Sequence, residues 1–330
     1  MTGQVFVTGG AGYAGCVLIP KLLDRGHRVV VLDLCLYGEG VLDHVRDHPN
    51  FRLVKGDIRD VDLLRSTLRG VEIVIHLACI SNDPSFDLDP ALGKSINYDA
   101  FRPLVEISKA QGARRFVFAS SSSVYGIKNV ENVTEDEPCE PITDYSRYKE
   151  LCEEILRSYQ DRKFRTVIVR PATICGYSPR LRLDLVVNIL TNHAVNTGCI
   201  KVFGGSQQRP NIHIEDITDL YADIVDRPDH EVGGKTWNVG NENCEVGRIA
   251  EIVRSTLGND SVQIQTEPSD DNRSYHVSSA RIEDDIGFKP SRTIADAVAD
   301  LRDAFSAGLI PDPMEDIRYY NIRTMQATKI

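Results

Sequence analysis

A glycine-rich turn directly after a short apolar run is the feature that most constrains what this chain can fold into. Val5, Phe6 and Val7 form the apolar run and predict a buried strand, and glycine then recurs at every third position over residues 9–15. Apolar residues with helical spacing follow over residues 14–25. Glycine permits a tight turn and lets a pyrophosphate approach the free N–H groups at the start of the helix. The strand, the turn and the helix together predict a dinucleotide-binding site, whereas the turn alone would indicate only a tight loop.

An acidic residue follows at the place where such a site needs one. Asp33 ends the next apolar run, residues 28–32, about 20 residues beyond the turn. A carboxylate there accepts hydrogen bonds from the adenosine ribose hydroxyls and repels a 2′-phosphate, which favours NAD over NADP. Asp57 and Ile58 follow the third apolar run and are candidates for contact with the adenine, although an ordinary loop aspartate is an equally good interpretation of Asp57.

Strands and helices alternate along the first half of the chain. We predict further strands at residues 51–54, 71–77, 115–119 and 166–169, and helices at residues 61–68, 90–110 and 145–159. Continuous apolar strands separated by helices are typical of a parallel sheet covered on both faces, that is, a Rossmann-type, doubly wound α/β fold.

The alternation loosens after residue 170 and returns between residues 211 and 240, which suggests two parts. We assign residues 1–170 to a dinucleotide-binding domain, to which residues 211–240 return. Residues 171–210 and 241–330 are expected to form a smaller C-terminal lobe that binds the substrate.

Composition narrows the classes of partner. The chain has 48 acidic and 38 basic residues, for a net charge of −10, which disfavours binding to nucleic acid. No apolar run approaches the roughly 20 residues of a membrane helix, so no membrane partner is expected. The eight cysteines form no C-x-x-C pair and the eight histidines show no metal-ligand spacing, so no metal is expected. Without a secretory signal, we expect reduced thiols and a cytoplasmic location.

A tyrosine and a lysine stand four residues apart on a predicted helix. Tyr145 and Lys149 would share one helix face, where the ammonium and a positively charged nicotinamide would lower the pKa of the phenol. Tyr145 could then take a proton from a substrate hydroxyl while hydride leaves the carbon. A surface tyrosine over a lysine stem is the alternative. Tyr148 has no lysine four residues on.

A run of serines, residues 120–123, follows the strand predicted at 115–119. Ligands of an open parallel sheet bind at the carboxyl ends of its strands, so a serine here could bind the same substrate oxygen as the tyrosine. A polar loop is the alternative, and the run by itself does not select one serine.

These motifs together resemble the extended short-chain dehydrogenase/reductases, and more narrowly the NAD-dependent nucleotide-sugar epimerases and dehydratases. The resemblance is carried by Thr8 to Gly15, Asp33, His76 to Ala78, Ser121 to Gly126, Tyr145 and Lys149. It implies NAD as cofactor, a nucleotide-diphosphate sugar as substrate, and Ser121, Tyr145 and Lys149 as the catalytic residues.

The residues expected to bind the cofactor surround the glycine turn and the ends of the following strands. They are Gly9, Gly12, Tyr13, Ala14, Gly15, Asp33, Leu34, Asp57, Ile58, Leu77, Ala78, Cys79, Asn97, Tyr145, Lys149 and Pro171. Asn97 matches an asparagine that the family has near its active site, and a helix-capping or structural role is the alternative.

Arginines on the C-terminal side suit a diphosphate, because guanidinium groups match phosphate oxygens. The resemblance assigns a diphosphate contact to Arg209 and a second, weaker match to Arg273; solvated surface arginines are the alternative. The residues expected to bind substrate are Ser81, Asn82, Asp83, Ser122, Ser123, Thr173, Arg180, Arg182, Asn188, Arg209 and Arg273. For Asp83 a loop turn is the alternative to an acid–base role.

Departures from the family narrow the reaction. The 4,6-dehydratases carry Asp-Glu where this chain has Ser122 and Ser123, and the uronic-acid decarboxylases carry Glu at the position of Ser123. A serine hydroxyl cannot act as a carboxylic acid, so dehydration and decarboxylation by those mechanisms are disfavoured. Many epimerases have Asn where Thr173 stands. Residues 178–188 resemble a narrower branch that includes GDP-heptose 4-dehydrogenases, which leaves the base open between uridine, guanosine and others.

The sequence therefore predicts an NAD-dependent nucleotide-sugar epimerase acting at C4 through a transient 4-keto sugar. A nucleotide-sugar 4-dehydrogenase or 4-ketoreductase, for example on a GDP-sugar, would use the same residues. A non-catalytic regulator that senses a dinucleotide is the alternative from another class. The family implies a homodimer formed through the helices at residues 90–110 and 145–159.

Overall fold

A seven-stranded parallel sheet forms the centre of the molecule. The computed structural model describes residues 3–128, 130, 132–269 and 276–328. The strands are β1 (Gln4–Thr8), β2 (Arg28–Asp33), β3 (Phe51–Lys55), β4 (Ile73–His76), β5 (Arg115–Ala119), β6 (Arg165–Pro171), β7 (Thr173–Cys175), β8 (Cys199–Phe203), β9 (Gln208–His213), β10 (Lys235–Val239), β11 (Glu242–Glu245) and β12 (Gln263–Glu267). The central sheet has the order β10-β6-β5-β4-β1-β2-β3.

Helices cover both faces of this sheet and also form much of the structure beyond β6. They are α1 (Gly15–Asp24), α2 (Val61–Thr67), α3 (Asp83–Phe86), α4 (Pro90–Lys94), α5 (Phe101–Ala110), α6 (Asp144–Ser158), α7 (Val186–Thr197), α8 (Ile214–Asp226), α9 (Asp229–Val232), α10 (Val246–Leu257), α11 (Ala280–Ile286), α12 (Ile294–Ser306) and α13 (Asn321–Ala327). Short 3₁₀ turns lie at Gly40–Val45, Ser122–Tyr125 and Ile317–Tyr319.

Side chains alternate between two cores along each strand. In β1, Val5 and Val7 belong to the core shared with α1 and α8, and Phe6 belongs to the core shared with α5 and α6. The strand order reverses at β1, which has β2 on one side and β4 on the other, so the ends of β1 and β4 diverge into a crevice. The doubly wound parallel α/β fold expected from the alternation is confirmed.

The helix predicted over residues 90–110 is interrupted by a wider π turn at Ser95–Asp99. Pro103, in the first turn of α5, has no N–H group to donate to the carbonyl of Asp99 four residues earlier, so the wider turn that ends at Asp99 loses no bond to it. The strand predicted at residues 71–77 is shorter, Ile73–His76, and the helix over residues 14–25 runs through Pro20 without ending.

Beyond β6 the chain builds two smaller sheets, ordered β11-β9-β7 and β12-β8. Helices α7, α10 and α12 pack with β8 around a separate hydrophobic cluster. β10 returns to the central sheet and pairs in parallel with β6, which buries Trp237 fully. Within the described residues, no helix is both long and apolar enough to span a lipid bilayer.

Candidate active site

A cavity of about 520 Å³ opens at the carboxyl ends of β1, β4 and β5, beside the reversal of strand order. The carboxyl ends of parallel strands meet at one edge of a sheet, so loops distant in sequence converge there. Of the predicted site residues, the lining contains Gly9, Gly12, Tyr13, Ala14, Gly15, Asp33, Leu34, Ile58, Leu77, Ala78, Cys79, Ser81, Asn82, Asp83, Ser121, Ser122, Ser123, Tyr145, Lys149, Pro171, Thr173, Arg180, Arg182 and Arg209.

The backbone of the glycine turn lines this cavity, and two of its glycines have no space for a side chain. Gly9 has a φ of +74°, and a Cβ on it would lie 2.6 Å from the amide nitrogen of Ala78. A Cβ on Gly15 would lie 2.5 Å from the carbonyl oxygen of Gly10. Ala14 precedes α1 and places no capping side chain over its first N–H groups. The turn therefore leaves a backbone cradle and a helix N-terminus that suit a pyrophosphate.

The carboxylate of Asp33 is fixed at the end of β2 by two backbone donors. The amide of Ala11 donates to Oδ2 at 3.0 Å and the amide of Cys35 donates to Oδ1 at 2.7 Å. Burial raises the pKa of Asp33, while these two hydrogen bonds and the charge of Arg180 act against that rise. Each oxygen keeps acceptor capacity for a ribose hydroxyl.

Helix α6 places the predicted tyrosine and lysine together. A capping box between Thr143 and Ser146 fixes its start, so Tyr145 lies in the first turn. The ammonium of Lys149, one turn later, donates to the carbonyl oxygen of Ala119 at 2.7 Å and lies 5.9 Å from the centre of the Tyr145 ring.

One serine of the run faces the tyrosine. Ser121 is the serine of the run that lowers the pKa of the Tyr145 phenol, and its oxygen also lies 2.8 Å from that of Ser123. Ser120 points the other way and donates to the buried carboxylate of Glu153. The structure thus separates Ser121 from Ser120, two serines that the run by itself did not distinguish.

The groups around the phenol of Tyr145 shift its pKa in opposite directions. Burial raises its pKa above the ordinary value, and the nearby Cys79 and Asp83 raise it further. The charge of Arg182 and the hydrogen bond with Ser121 act in the opposite direction. In this arrangement Tyr145 is a neutral hydrogen-bond donor that needs additional positive charge nearby before it can act as a base.

Asp83 enters the cavity at the start of α3. Its Oδ1 accepts a hydrogen bond from the hydroxyl of Thr143 at 2.6 Å. The preceding residue, Asn82, has a φ of +73° and caps α3 by accepting from the amide of Ser85. A non-glycine residue in this region costs about 1–3 kcal/mol and is typical of functional loops.

Two buried arginines approach the same space from the segment after β7. The guanidinium of Arg180 stacks 3.5 Å from the centre of the Tyr37 ring, and Arg182 pairs with Asp184 at 2.9 Å and donates to Ser81 at 3.0 Å. Burial lowers the pKa of Arg180 to about 10, so it stays charged at neutral pH. Its Nε and Nη1, and Nη2 of Arg182, have no hydrogen-bond partner in the part of the chain that the structure describes. Buried, unsatisfied N–H groups of this kind indicate a site for an anion.

Three predicted ligand-binding residues, Asp57, Asn97 and Asn188, lie outside the cavity lining. Asp57 pairs with Arg59, which agrees with the loop interpretation. Asn97 accepts from the amide of Ile80 at 2.8 Å and donates to its carbonyl oxygen at 2.9 Å, so its amide holds the loop after β4. Asn188 is fully buried and donates to the hydroxyl of Tyr13 at 3.0 Å.

The hydroxyl of Tyr13 in turn donates to the carbonyl oxygen of Gly176, and the residue belongs to a hydrophobic cluster with Leu181 and Leu183. Arg273 lies outside the described residues. Arg209 lines the cavity from β9. The cavity lining also contains residues that were not predicted from the sequence, among them Tyr37, Asp184, Tyr221, Asn321 and Met325. Tyr37 lies only four residues after Asp33 and could have been inferred from that proximity, whereas nothing local marks Asn321.

A buried polar network holds the catalytic elements in place. Glu153 of α6 forms a two-point ion pair with Arg170 of β6, at 2.9 and 2.6 Å. Arg170 also donates to the hydroxyl of Tyr125 at 2.6 Å, and that hydroxyl donates to Asn238 of β10 at 2.8 Å. With Ser120 on the same carboxylate, the network joins the serine run, α6, β6 and β10.

Comparison with known proteins places these features in context. A model of the NAD dependent epimerase/dehydratase family matches residues 5–240. The chain is 27% identical over 309 residues to the low-salt glycan biosynthesis protein Agl12 of Haloferax volcanii, covering 89% of this chain and 96% of that protein. It is 28% identical over 306 residues to a UDP-glucose 4-epimerase of Mycolicibacterium smegmatis, covering 90% and 96%.

Among solved structures, DesIV, a dTDP-glucose 4,6-dehydratase from Streptomyces venezuelae with NAD and TYD bound, has a TM-score of 0.84 to this chain. The alignment covers 94% of this chain and 100% of DesIV at 24% identity, and the likeness concerns the fold.

Proposed function

The chain belongs to the NAD dependent epimerase/dehydratase family, and from this premise we propose that it inverts C4 of a nucleotide-diphosphate sugar through a transient 4-keto sugar. One observation carries the proposal: Ser121, Tyr145 and Lys149 line the same cavity as the backbone of the glycine turn. A base, its charged neighbour and a dinucleotide cradle in one cavity suit oxidation of a hydroxyl.

The residues around the glycine turn fit NAD. The cradle at Gly9 and Gly15 has no room for side chains and suits the pyrophosphate, and the carboxylate of Asp33 suits the adenosine ribose hydroxyls and disfavours a 2′-phosphate. We assign to Lys149, which lines the same cavity, the role of holding the nicotinamide ribose. When bound, NAD supplies the hydride acceptor for oxidation and the donor for the return.

The remaining roles belong to the chain itself. Ser121 and Tyr145 bind the O4 hydroxyl, and Tyr145 takes its proton as the carbon is oxidised. We assign to Lys149, whose ammonium lies 5.9 Å from the centre of the Tyr145 ring, the role of lowering the pKa of the phenol together with the positive charge that bound NAD would bring. After the keto sugar has rotated to present its other face to the cofactor, the same phenol returns the proton to O4. Arg180, Arg182 and Arg209 supply positive charge for diphosphates in the cavity.

The residues beside Ser121 favour reaction at a single carbon. Ser122 and Ser123 line the cavity and offer hydroxyls, which do not ionise as carboxylic acids do near neutral pH. Elimination of water next to the 4-keto group would need an acid and a base there. This supports epimerisation over the 4,6-dehydration carried out by some family members.

A panel of UDP-, GDP- and dTDP-hexoses deuterated at C4 tests the proposal. We expect a C4 epimer that retains deuterium, with no net change in NADH absorbance. Stoichiometric production of reduced cofactor, with transfer of the C4 deuterium from the sugar to NAD, would identify a net 4-dehydrogenase instead. Stoichiometric consumption of NADH with an added nucleotide 4-keto sugar would identify a 4-ketoreductase. Binding of NAD without turnover of any sugar on the panel would support a dinucleotide-sensing regulator.

Mass spectrometry of the small molecules released from the freshly purified protein should precede this assay. Stoichiometric NAD or NADH is expected of an enzyme that regenerates its cofactor in place. A co-released nucleotide sugar would identify the base.

A further inference from the structure

The C-terminal helix α13 contributes to the cavity although it lies far outside the part of the chain that the family model matches. The match ends at residue 240, and α13 begins at Asn321. α13 packs on α3, and both Asn321 and Met325 line the cavity. Helix α13 therefore forms part of the cavity wall beside the two buried arginines.

Asn321 uses its amide and its backbone to join three segments. Its Oδ1 accepts a hydrogen bond from Nη2 of Arg180, its Nδ2 donates to the hydroxyl of Ser81 at 3.0 Å, and its backbone amide donates to Asp184 at 3.0 Å. The residue is only 2% exposed. Each of these partners lines the cavity, so Asn321 is the point where the loop after β4 meets the segment after β7.

The contacts form a closed ring. Ser81 also accepts from Nη1 of Arg182, and Arg182 pairs with Asp184, which accepts from Asn321. Arg180 is attached to this ring through the bond from its Nη2 to Asn321. Together these contacts use Nη2 of Arg180 and Nη1 and Nε of Arg182, and they leave Nε and Nη1 of Arg180 and Nη2 of Arg182 without a partner among the described residues. A neutral amide is suited to this place, because it orients a guanidinium without neutralising its charge.

We propose that Asn321 is a positioning residue that holds Arg180 and, through Ser81, Arg182, so that their remaining N–H groups face a bound diphosphate. The identity of the ligand rests on the proposed function, since the pyrophosphate of NAD and the diphosphate of a nucleotide sugar share this chemistry. Arg180 stacks on Tyr37 and influences Asp33, which favours the cofactor as the source.

Two variants of one residue separate positioning from simple structural support. Asn321→Ala removes the amide, and Asn321→Asp keeps its shape and acceptors but places a negative charge between the guanidiniums. Gln326→Ala, an exposed position on the same helix, is the matched control. Affinities for NADH, UDP, GDP and phosphate-free adenosine are measured by calorimetry at a temperature where thermal unfolding shows every variant folded.

We expect Asn321→Ala and Asn321→Asp to bind the favoured diphosphate about 10- to 100-fold more weakly, because charge-assisted hydrogen bonds are lost or neutralised. Adenosine binding and Gln326→Ala should match the wild type. Loss confined to NADH assigns the arginines to the cofactor, and loss confined to UDP or GDP assigns them to the substrate; either result supports the positioning role.

The proposal is overturned if Asn321→Asp binds every diphosphate as tightly as the wild type, or if Asn321→Ala only lowers the melting temperature. It is also overturned if the wild type binds none of the diphosphates. Failure of the proposed function looks different: diphosphates then bind and respond to Asn321, but no nucleotide sugar is turned over.

Discussion

The ammonium of Lys149 lies 5.9 Å from the centre of the Tyr145 ring and is held there by the carbonyl oxygen of Ala119 at the end of β5. The helix periodicity that brings the two side chains to one face is local. The hydrogen bond to Ala119 adds a tertiary anchor that fixes the pair against the central sheet. The charge thus stands beside the phenol rather than in solvent.

Replacement of the tyrosine should remove the acid–base step and little else. Tyr145→Phe is expected to lower kcat by about 10²- to 10⁴-fold, the usual contribution of general acid–base catalysis, with NAD affinity close to the wild type. Steady-state kinetics on the substrate found in the panel provide the measurement. Tyr148→Phe is the control, because Tyr148 packs against Tyr98 and Phe86 and does not line the cavity. Retention of most turnover by Tyr145→Phe would contradict the assigned role.

Cofactor preference should depend on the carboxylate at the end of β2. Asp33→Asn is expected to weaken NAD binding about 10-fold or more, because a charged acceptor for the ribose hydroxyls is lost. The variant should also reduce the ratio of NAD affinity to NADP affinity, because the repulsion between the carboxylate and the 2′-phosphate is relieved. Titration with both cofactors measures the ratio. Asp57→Asn is the matched control, because Asp57 pairs with Arg59 outside the cavity lining. Equal effects of the two variants would show that the binding site has been assigned wrongly.

The pH dependence of turnover should respond to Asp83. Activity that requires the Tyr145 phenolate rises with pH through the pKa of that group. The carboxylate of Asp83 raises this pKa, after burial and Cys79, so Asp83→Asn should lower it and move the acidic limb of kcat/KM to lower pH. The asparagine keeps an acceptor for the hydroxyl of Thr143. A limb that stays in place, or moves to higher pH, would argue against electrostatic contact between the two groups.

The buried network under the serine run should be important for stability. Glu153→Gln leaves Arg170 as a buried charge without its partner, and the expected loss is about 3–5 kcal/mol in the free energy of unfolding. Denaturant unfolding monitored by Trp237 fluorescence gives the value, and Glu154→Gln, exposed on the same helix, is the control. A loss below about 1 kcal/mol, the usual value for a surface pair, would show that the pair is not desolvated.

Short-range patterns in the sequence determined the fold class and the core of the site. The strand, glycine turn and helix at residues 4–24, the acid at Asp33 and the four-residue spacing of Tyr145 and Lys149 are all set by local geometry, because glycine torsions and helix periodicity act over a few residues. These features could therefore be predicted before any tertiary contact was known.

Only the tertiary structure decided which side chains face the cavity and which support it. Ser121 lies beside Tyr145, whereas Ser120 donates to Glu153. The side-chain amides of Asn97 and Asn188 form hydrogen bonds with neighbouring backbone and side chains. Asn321 meets Ser81 across 240 residues of chain. Such contacts depend on how separate elements pack and on which buried polar groups find partners, and no local pattern encodes either.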